Sequence, residues 1–220
     1  MAVVFDAVSS SHGASVSTLS WTHTPVGTPT AVAVTTSQFR NTATILSITY
    51  GGTSMVQATD TGDVGTGAAA AVWGLANPPS GAQTVLMTFS ASTFCEAGAI
   101  TVTGSDTVTC FSNSNSALGT SAAASVVVTS TTGELVVDAV TNVGAATETA
   151  GGSQTLRWGP LQDSNLVGSG SSQPGASSVT MSWTLGSSQT WGVAAASFKA
   201  GASAAASIAL GILGLATAEW

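Results

Sequence analysis

Seven consecutive residues, Val179-Thr180-Met181-Ser182-Trp183-Thr184-Leu185, place a large apolar side chain at every odd position and a hydroxyl at every even one. Side chains of an extended strand alternate between its two faces, so this pattern specifies a strand with one face on a core and one on solvent. The same alternation appears in Leu46-Ser47-Ile48-Thr49-Tyr50, in Val85 to Phe89, in Ile100-Thr101-Val102-Thr103 and in Gln154-Thr155-Leu156-Arg157-Trp158. Segments 2–8, 17–23, 30–36, 68–75, 125–130, 134–141 and 190–198 are further candidate strands, rich in β-branched residues. Between them stand turn signals: Gly51-Gly52, Asn77-Pro78-Pro79-Ser80-Gly81, Thr131-Thr132-Gly133, Gly151-Gly152 and Pro174-Gly175. Many short strands with regular punctuation and no amphipathic helix predict an all-β fold. We expect an antiparallel two-sheet β-sandwich, jelly-roll-like, because two sheets packed face to face each bury one side. It is expected to span residues 1–199.

One internal echo exists. Gly13–Thr22 matches Gly175–Thr184 at seven of ten positions, counted directly on the sequence. It reads either as the trace of a duplicated half or as coincidence in a chain with 65 Ser and Thr residues.

Composition narrows the function. Charged residues make up 6% of the chain, against roughly 25% in an average soluble domain. A surface made polar by hydroxyls loses little on dehydration, because burying a hydroxyl costs far less than burying an ion. Such surfaces suit packing against other surfaces. Only Arg40, Arg157 and Lys199 are cationic, and the net charge is −7. Nucleic-acid binding needs several cations against phosphates, so no nucleic acid is expected as a partner, and anionic membranes are disfavoured by the same count. The opening Met1-Ala2-Val3-Val4-Phe5-Asp6 lacks a basic lead, and Asp6 interrupts its apolar run, so no secretory signal is expected. Cys95 and Cys110 are too few for a zinc site or a disulfide framework. They read as one bridge closing a short loop or as two buried thiols.

Catalytic groups are sparse. His12 and His23 read as solvent-facing loop or edge histidines. No Gly-x-Ser-x-Gly elbow sits between a strand and a helix. The ten acids are Asp6, Asp60, Asp63, Glu96, Asp106, Glu134, Asp138, Glu148, Asp163 and Glu219, all dispersed. Asp60-Thr61-Gly62-Asp63 is the best candidate metal loop, with Asp60 and Asp63 as ligands, but it lacks the remaining oxygens of a calcium loop and reads first as a polar turn. Asp138 lies inside the apolar run Glu134 to Val140 and needs a partner or solvent, with Arg157 the natural partner. Trp21, Trp158, Trp183 and Trp191 fit core positions, while Trp73 and Trp220 are not assigned to the core. No catalytic residue, cofactor or metal is expected.

The segment from Ala200 to Ala218 differs from the rest, carrying no charge and no period-two pattern. Its apolar residues Ile208, Leu210, Ile212, Leu213 and Leu215 are expected to make oligomer contacts in a docking arm. An unstructured tail and a membrane anchor are the other two readings of this segment.

Gly133-Glu134-Leu135-Val136-Val137-Asp138, together with Pro174 to Thr184 and Trp191 to Lys199, resembles β-sandwich modules of tailed-phage virion proteins and of some bacterial surface proteins. The resemblance implies a jelly-roll-like fold and a structural or adhesive role, and it supplies no catalytic residues. On it we expect a non-catalytic virion structural protein of the capsid-decoration or cement type, or another phage surface component. Such a protein would be a homo-oligomer in contact with a major capsid or other virion protein, at a virion or extracellular surface. The alternative is a secreted or cell-surface adhesin or carbohydrate-binding sandwich. A glycoside hydrolase or lyase ranks third, because it needs two acids facing each other across a cleft.

Overall fold

The structure, a computed structural model, describes residues 1–40, 43–62 and 67–202, the Arg40 side chain excepted. Every regular element is a β-strand, in the order β1 (Val4–His23), β2 (Ala31–Arg40), β3 (Ile45–Tyr50), β4 (Thr53–Ser54), β5 (Val56–Asp60), β6 (Gly67–Ala76) and β7 (Gln83–Thr103), followed by β8 (Phe111–Thr129), β9 (Leu135–Val143), β10 (Glu148–Ala150), β11 (Thr155–Asp163), β12 (Leu166–Pro174) and β13 (Ser178–Phe198). They form two antiparallel sheets packed together, which is the two-sheet sandwich that the alternation predicts. One sheet runs β4-β3-β7-β2-β6-β5 with β1 also on β7, and the other runs β10-β13-β9-β12-β11 with β8 also on β13.

Apart from β4, which has no counterpart among the described residues, these two orders are the same order. Strand β8 takes the place of β1, β9 of β2, β10 of β3, β11 of β5, β12 of β6 and β13 of β7. The correspondence reaches single residues. Thr35 of β2 pairs with Gly98 of β7, and Thr141 of β9 pairs with Gly192 of β13. In this register Gly81-Ala82, Val85 and Met87 open β7 as Gly175-Ala176, Val179 and Met181 open β13, and Gly51-Gly52 follows β3 as Gly151-Gly152 follows β10. The duplication is therefore real in topology, but the sequence echo does not trace it. Gly13–Thr22 lies on β1 and Gly175–Thr184 enters β13, whereas the counterpart of β1 is β8.

Each sheet doubles over on itself. Residues 85–89 of β7 pair with β3, while residues 95–102 pair with β2, and β1 accompanies β7 throughout with register shifts around Val16. Long strands that pass from one layer to another make the corner of a sandwich. In the second half β13 does the same, with its register shift against β8 between Thr184 and Gln189. Three cores result. Ile48, Tyr50, Val85 and Met87 face Val32, Val34, Trp73 and Ala99 inside the first half. Val126, Val179, Met181 and Trp183 face Val136, Val140, Val193 and Ala195 inside the second. Between the halves, Ala31, Ala33, Val72, Ile100 and Val102 meet Leu135, Val137, Ala139, Ala194, Ala196 and Phe198.

The inner strands thus have a core on each face, which differs from the one-sided burial expected. It explains why β2, β6 and the end of β13 read as unbroken runs such as Ala31-Val32-Ala33-Val34 and Ala68-Ala69-Ala70-Ala71-Val72 rather than as alternation. A strand buried on both sides has no face left for polar residues. Its small side chains also let the layers approach closely.

Packing between the halves is reciprocal. Strand β1 contacts β11 as β8 contacts β5, and β6 contacts β9 as β12 contacts β2. Two seams therefore close the central core at its sides, β1 against β11 and β5 against β8.

Candidate functional site

The acids that the sequence scatters are partly gathered by the fold, and they are gathered inside it. Asp138 sits on β9 with no exposed surface. Its Oδ1 accepts from the Ser171 backbone N–H at 2.8 Å and the Ser171 hydroxyl at 2.7 Å, and its Oδ2 accepts from the Trp183 indole N–H at 2.7 Å. Burial nevertheless wins over these three donors and lifts its pKa to about 6. The expected pairing with Arg157 does not form. Arg157 donates through Nε to Ser172 Oγ at 2.7 Å and lays its guanidinium 3.7 Å over the Phe5 ring. A neutral donor set satisfies Asp138 without bringing a second ion out of water, which is the costlier solution. Replacing Asp138 with Ala leaves the Trp183 and Ser171 donors buried and unpaired. A loss of roughly 2–3 kcal/mol in a denaturant melt is expected, with a smaller loss for Asp138→Asn.

Two further acids go deeper into neutrality. Glu96 on β7 is fully buried, and burial together with the charges of Glu148 and Asp163 raises its pKa to about 9. Its Oε1 accepts from the Asp163 N–H at 3.0 Å, and its carboxyl lies over Gly168, where a side chain would collide with it. Glu148 at the start of β10 accepts from Asn142 Nδ2 at 2.8 Å, and burial raises it to about 8. At the mouth of this row Asp163 meets His12 Nδ1 at 2.9 Å. Phe39, Phe94 and Asp163 to Leu166 line a notch of about 230 Å³ there. Glu96 and Glu148 are thus hydrogen-bonded acids enclosed in the fold, their pKa values raised mainly by burial.

His12 is exposed on β1, which among the described residues pairs only with β7, as expected of an edge histidine, whereas His23 at the end of that strand is buried. A directed chain of donors runs through His23. Trp21 Nε1 donates to Ser9 Oγ at 3.0 Å, Ser9 Oγ lies 2.8 Å from His23 Nδ1, His23 Nε2 lies 3.1 Å from Thr101 Oγ1, and Thr101 Oγ1 donates to Asp6 Oδ2 at 2.9 Å. Because Thr101 spends its proton on Asp6, it accepts from Nε2–H, and Nδ1 accepts from Ser9. The imidazole is then neutral, in keeping with a pKa lowered by burial against the opposing pull of Asp6. A Ser, a His and an Asp are in sequence here, but Thr101 separates the imidazole from the acid. Neither the notch nor the larger groove described below is lined by them.

Asp60 closes a turn, its Oδ1 accepting from Gly62 N–H at 2.8 Å. Asp63 lies outside the described residues, as do Ile208, Leu210, Ile212, Leu213, Leu215 and Trp220. Among the described residues no group of three or more His, Cys, Asp or Glu could hold a metal ion. Cys95 and Cys110 are free thiols, Cys95 buried in the first half's core and Cys110 partly buried at the second seam, so the bridge is not made. Burial pushes the Cys110 thiol up to about 12. Trp158, Trp183 and Trp191 are buried as expected, and Trp73 joins them in the first half's core. Among the described residues no helix is long and apolar enough to cross a membrane.

One concavity among the described residues is one the sequence did not suggest. A groove of about 500 Å³ opens at the seam between β5 and β8, over Val56, Ala58, Leu75 and Phe111. Its rim carries Gln57, Thr107, Thr109, Asn113 and Ser114, and no ionised side chain lines it. At the opposite seam Trp158 of β11 packs into the fold, 4% exposed. The indole lies against Gly98 of β7 and Gly170 of β12, and its Nε1 donates to Thr35 Oγ1 at 2.8 Å. On the groove side the ladder counterpart of Trp158 is Val56, which pairs with Gly74 as Trp158 pairs with Gly170, and Phe111 and Cys110 cover Gly74. A Trp at one seam thus stands where the other has a Val that is 74% exposed.

The fold thus defines an all-β sandwich of two topologically equivalent halves. No family model, no curated protein and no solved structure matches the chain.

Proposed function

We propose that the chain is a non-catalytic structural component that works by surface packing, of the capsid-decoration or phage-surface type. The observation that carries this reading is β8. Its 19 residues contain no ionisable side chain, and its exposed positions are Ser, Thr, Asn, Ala and Val. Among the described residues β8 pairs only with β13, so its other edge has no strand partner, with Ser114 and Ser116 lying against β5 and the remainder unpaired. An edge this long is normally guarded by Lys, Pro or inward charge, and here it is cheap to cover. The buried acids support the same reading, since carboxyl groups enclosed and hydrogen-bonded inside a core are placed to specify the fold. On this reading the partners are copies of the chain itself and a major capsid or other virion protein, at a virion or extracellular surface.

Native mass measurement, joined to electron microscopy of particles from the source, tests it. The expected result is a defined homo-oligomer and density for the chain on a particle surface. A strict monomer at high concentration that associates with no particle overturns the proposal.

A further inference from the structure

We propose that the groove at the β5/β8 seam is the docking site of the chain's own C-terminal apolar run, Ile208 to Leu215. This inference is independent of the assembly reading, because it concerns a contact within one chain.

Three observations carry it. The first is what the groove is made of. Val56 and Val108, at its edge and rim, are 74% and 88% exposed, and Leu75, Ala58 and Phe111 continue the apolar surface inward. Two large aliphatic side chains bare to water beside an uncharged hollow are an unfinished core, and they select an uncharged, apolar occupant.

The second is the opposite seam, which shows what completes such a place. There the gap between equivalent strands is closed by side chains of this same chain, Trp158 from β11 and Arg157 stacked on Phe5. Among the described residues the groove seam has Phe111 over Gly74 but places only Val56 at the ladder position that Trp158 holds in the other.

The third is where the described chain stops. Lys199 N–H donates to Cys110 O at 3.0 Å, so the exit from β13 runs beside a groove-lining residue. Ala200 then bridges to Ser105, and Gly201 N–H donates to Gly104 O at 2.9 Å. The groove lining begins two residues further on, at Thr107. From Ala202 to Ile208 the chain extends at most about 20 Å, enough to return to this groove. Residues 203–220, outside the described structure, contain Ile208-Ala-Leu210-Gly-Ile212-Leu213-Gly-Leu215 with no charge before Glu219. A groove of this size takes a few of those branched side chains. Tethering makes the encounter intramolecular, so the chain's own segment outcompetes any equally apolar free one.

The test uses accessibility at the groove. Single cysteines are placed by V56C and V108C, with L46C on the outer strand β3 as a remote control that is itself exposed. Cys95 is buried, and Cys110, which is partly buried and lines the groove, is replaced by Ala in every form so that it takes up no label. Maleimide labelling rates are compared between the full chain, a chain ending at Ala202, and a full chain carrying L210D and L213D. The expected result is labelling of both groove cysteines at least tenfold slower in the full chain than in either altered form, with L46C unchanged throughout. The double Asp form keeps the test valid if truncation harms folding. Equal rates in all three forms overturn the proposal. Slow labelling that disappears on dilution, together with a native mass falling from dimer to monomer, also overturns it, by assigning the groove to the segment of a second copy.

Discussion

The melting temperature is expected to fall by roughly 10–20 °C between pH 5 and pH 9. Glu96, Glu148 and Asp138 have folded pKa values of about 9, 8 and 6, against ordinary values of 4.5, 4.5 and 3.8. Above pH 4–5 the unfolded chain has released these protons while the folded chain still holds them. Stability that is complete below the unfolded values is therefore lost as pH climbs, until the folded acids ionise near pH 9. Each unit of difference is worth about 1.4 kcal/mol at full strength. Allowing for relaxation around ionised groups, we expect a combined loss on the order of 5 kcal/mol at pH 9. His23 acts in the opposite sense, since its lowered pKa costs stability as pH falls below 6.5. The optimum should accordingly lie in weakly acidic solution. Thermal melts at several pH values check this, and Glu96→Gln should remove about half of the alkaline slope. A melting temperature that is flat or rising from pH 6 to 9 would show that these acids are ionised in the fold.

Trp158→Ala is the substitution expected to cost most, about 3–5 kcal/mol in a denaturant melt. The indole fills the space above Gly98 and Gly170 and satisfies Thr35, so its removal empties a sealed seam and strands a buried hydroxyl. Neighbouring strands cannot collapse into the gap, because each is held in a ladder with a core on its far side. The same reasoning makes Gly98→Ala costly, since a methyl there would overlap the ring. A loss below 1 kcal/mol for Trp158→Ala would mean that the seam does not hold the halves together.

The outer strands were legible because each has one wet face. Val179 to Leu185 alternates in the sequence and alternates in burial. The inner strands were recognised as strands but not as doubly buried, since Ala and Val runs carry no period that distinguishes one core from two. Residues 111–119 at the start of β8 were missed. Phe111-Ser112-Asn113-Ser114-Asn115-Ser116 reads as loop by propensity, and pairing with β13 overrides it. The duplication was suggested by the echo of Gly13–Thr22 in Gly175–Thr184, but that echo falls on strands that are not equivalent. Topology preserves Thr35–Gly98 and Thr141–Gly192 as pairs across strands, and a linear match along the chain cannot see a pair. Asp138 was identified as anomalous from its apolar neighbours, yet its donors come from β12 and β13, distant in sequence. Glu96 and Glu148 carried no signal at all, because burial of an acid follows from what folds over it. The groove was invisible for a similar reason: it arises where one half fails to fill a gap that the other half fills.

The reciprocal packing of the halves is that of a twofold dimer whose partners have been joined by the stretch 104–110. Joining makes the meeting of the two inner faces unimolecular, so dilution cannot part them. It also frees the two seams from identity, which a true dimer of identical subunits imposes on every contact. One polypeptide can then spend a bulky plug on one flank and keep a vacant berth on the other.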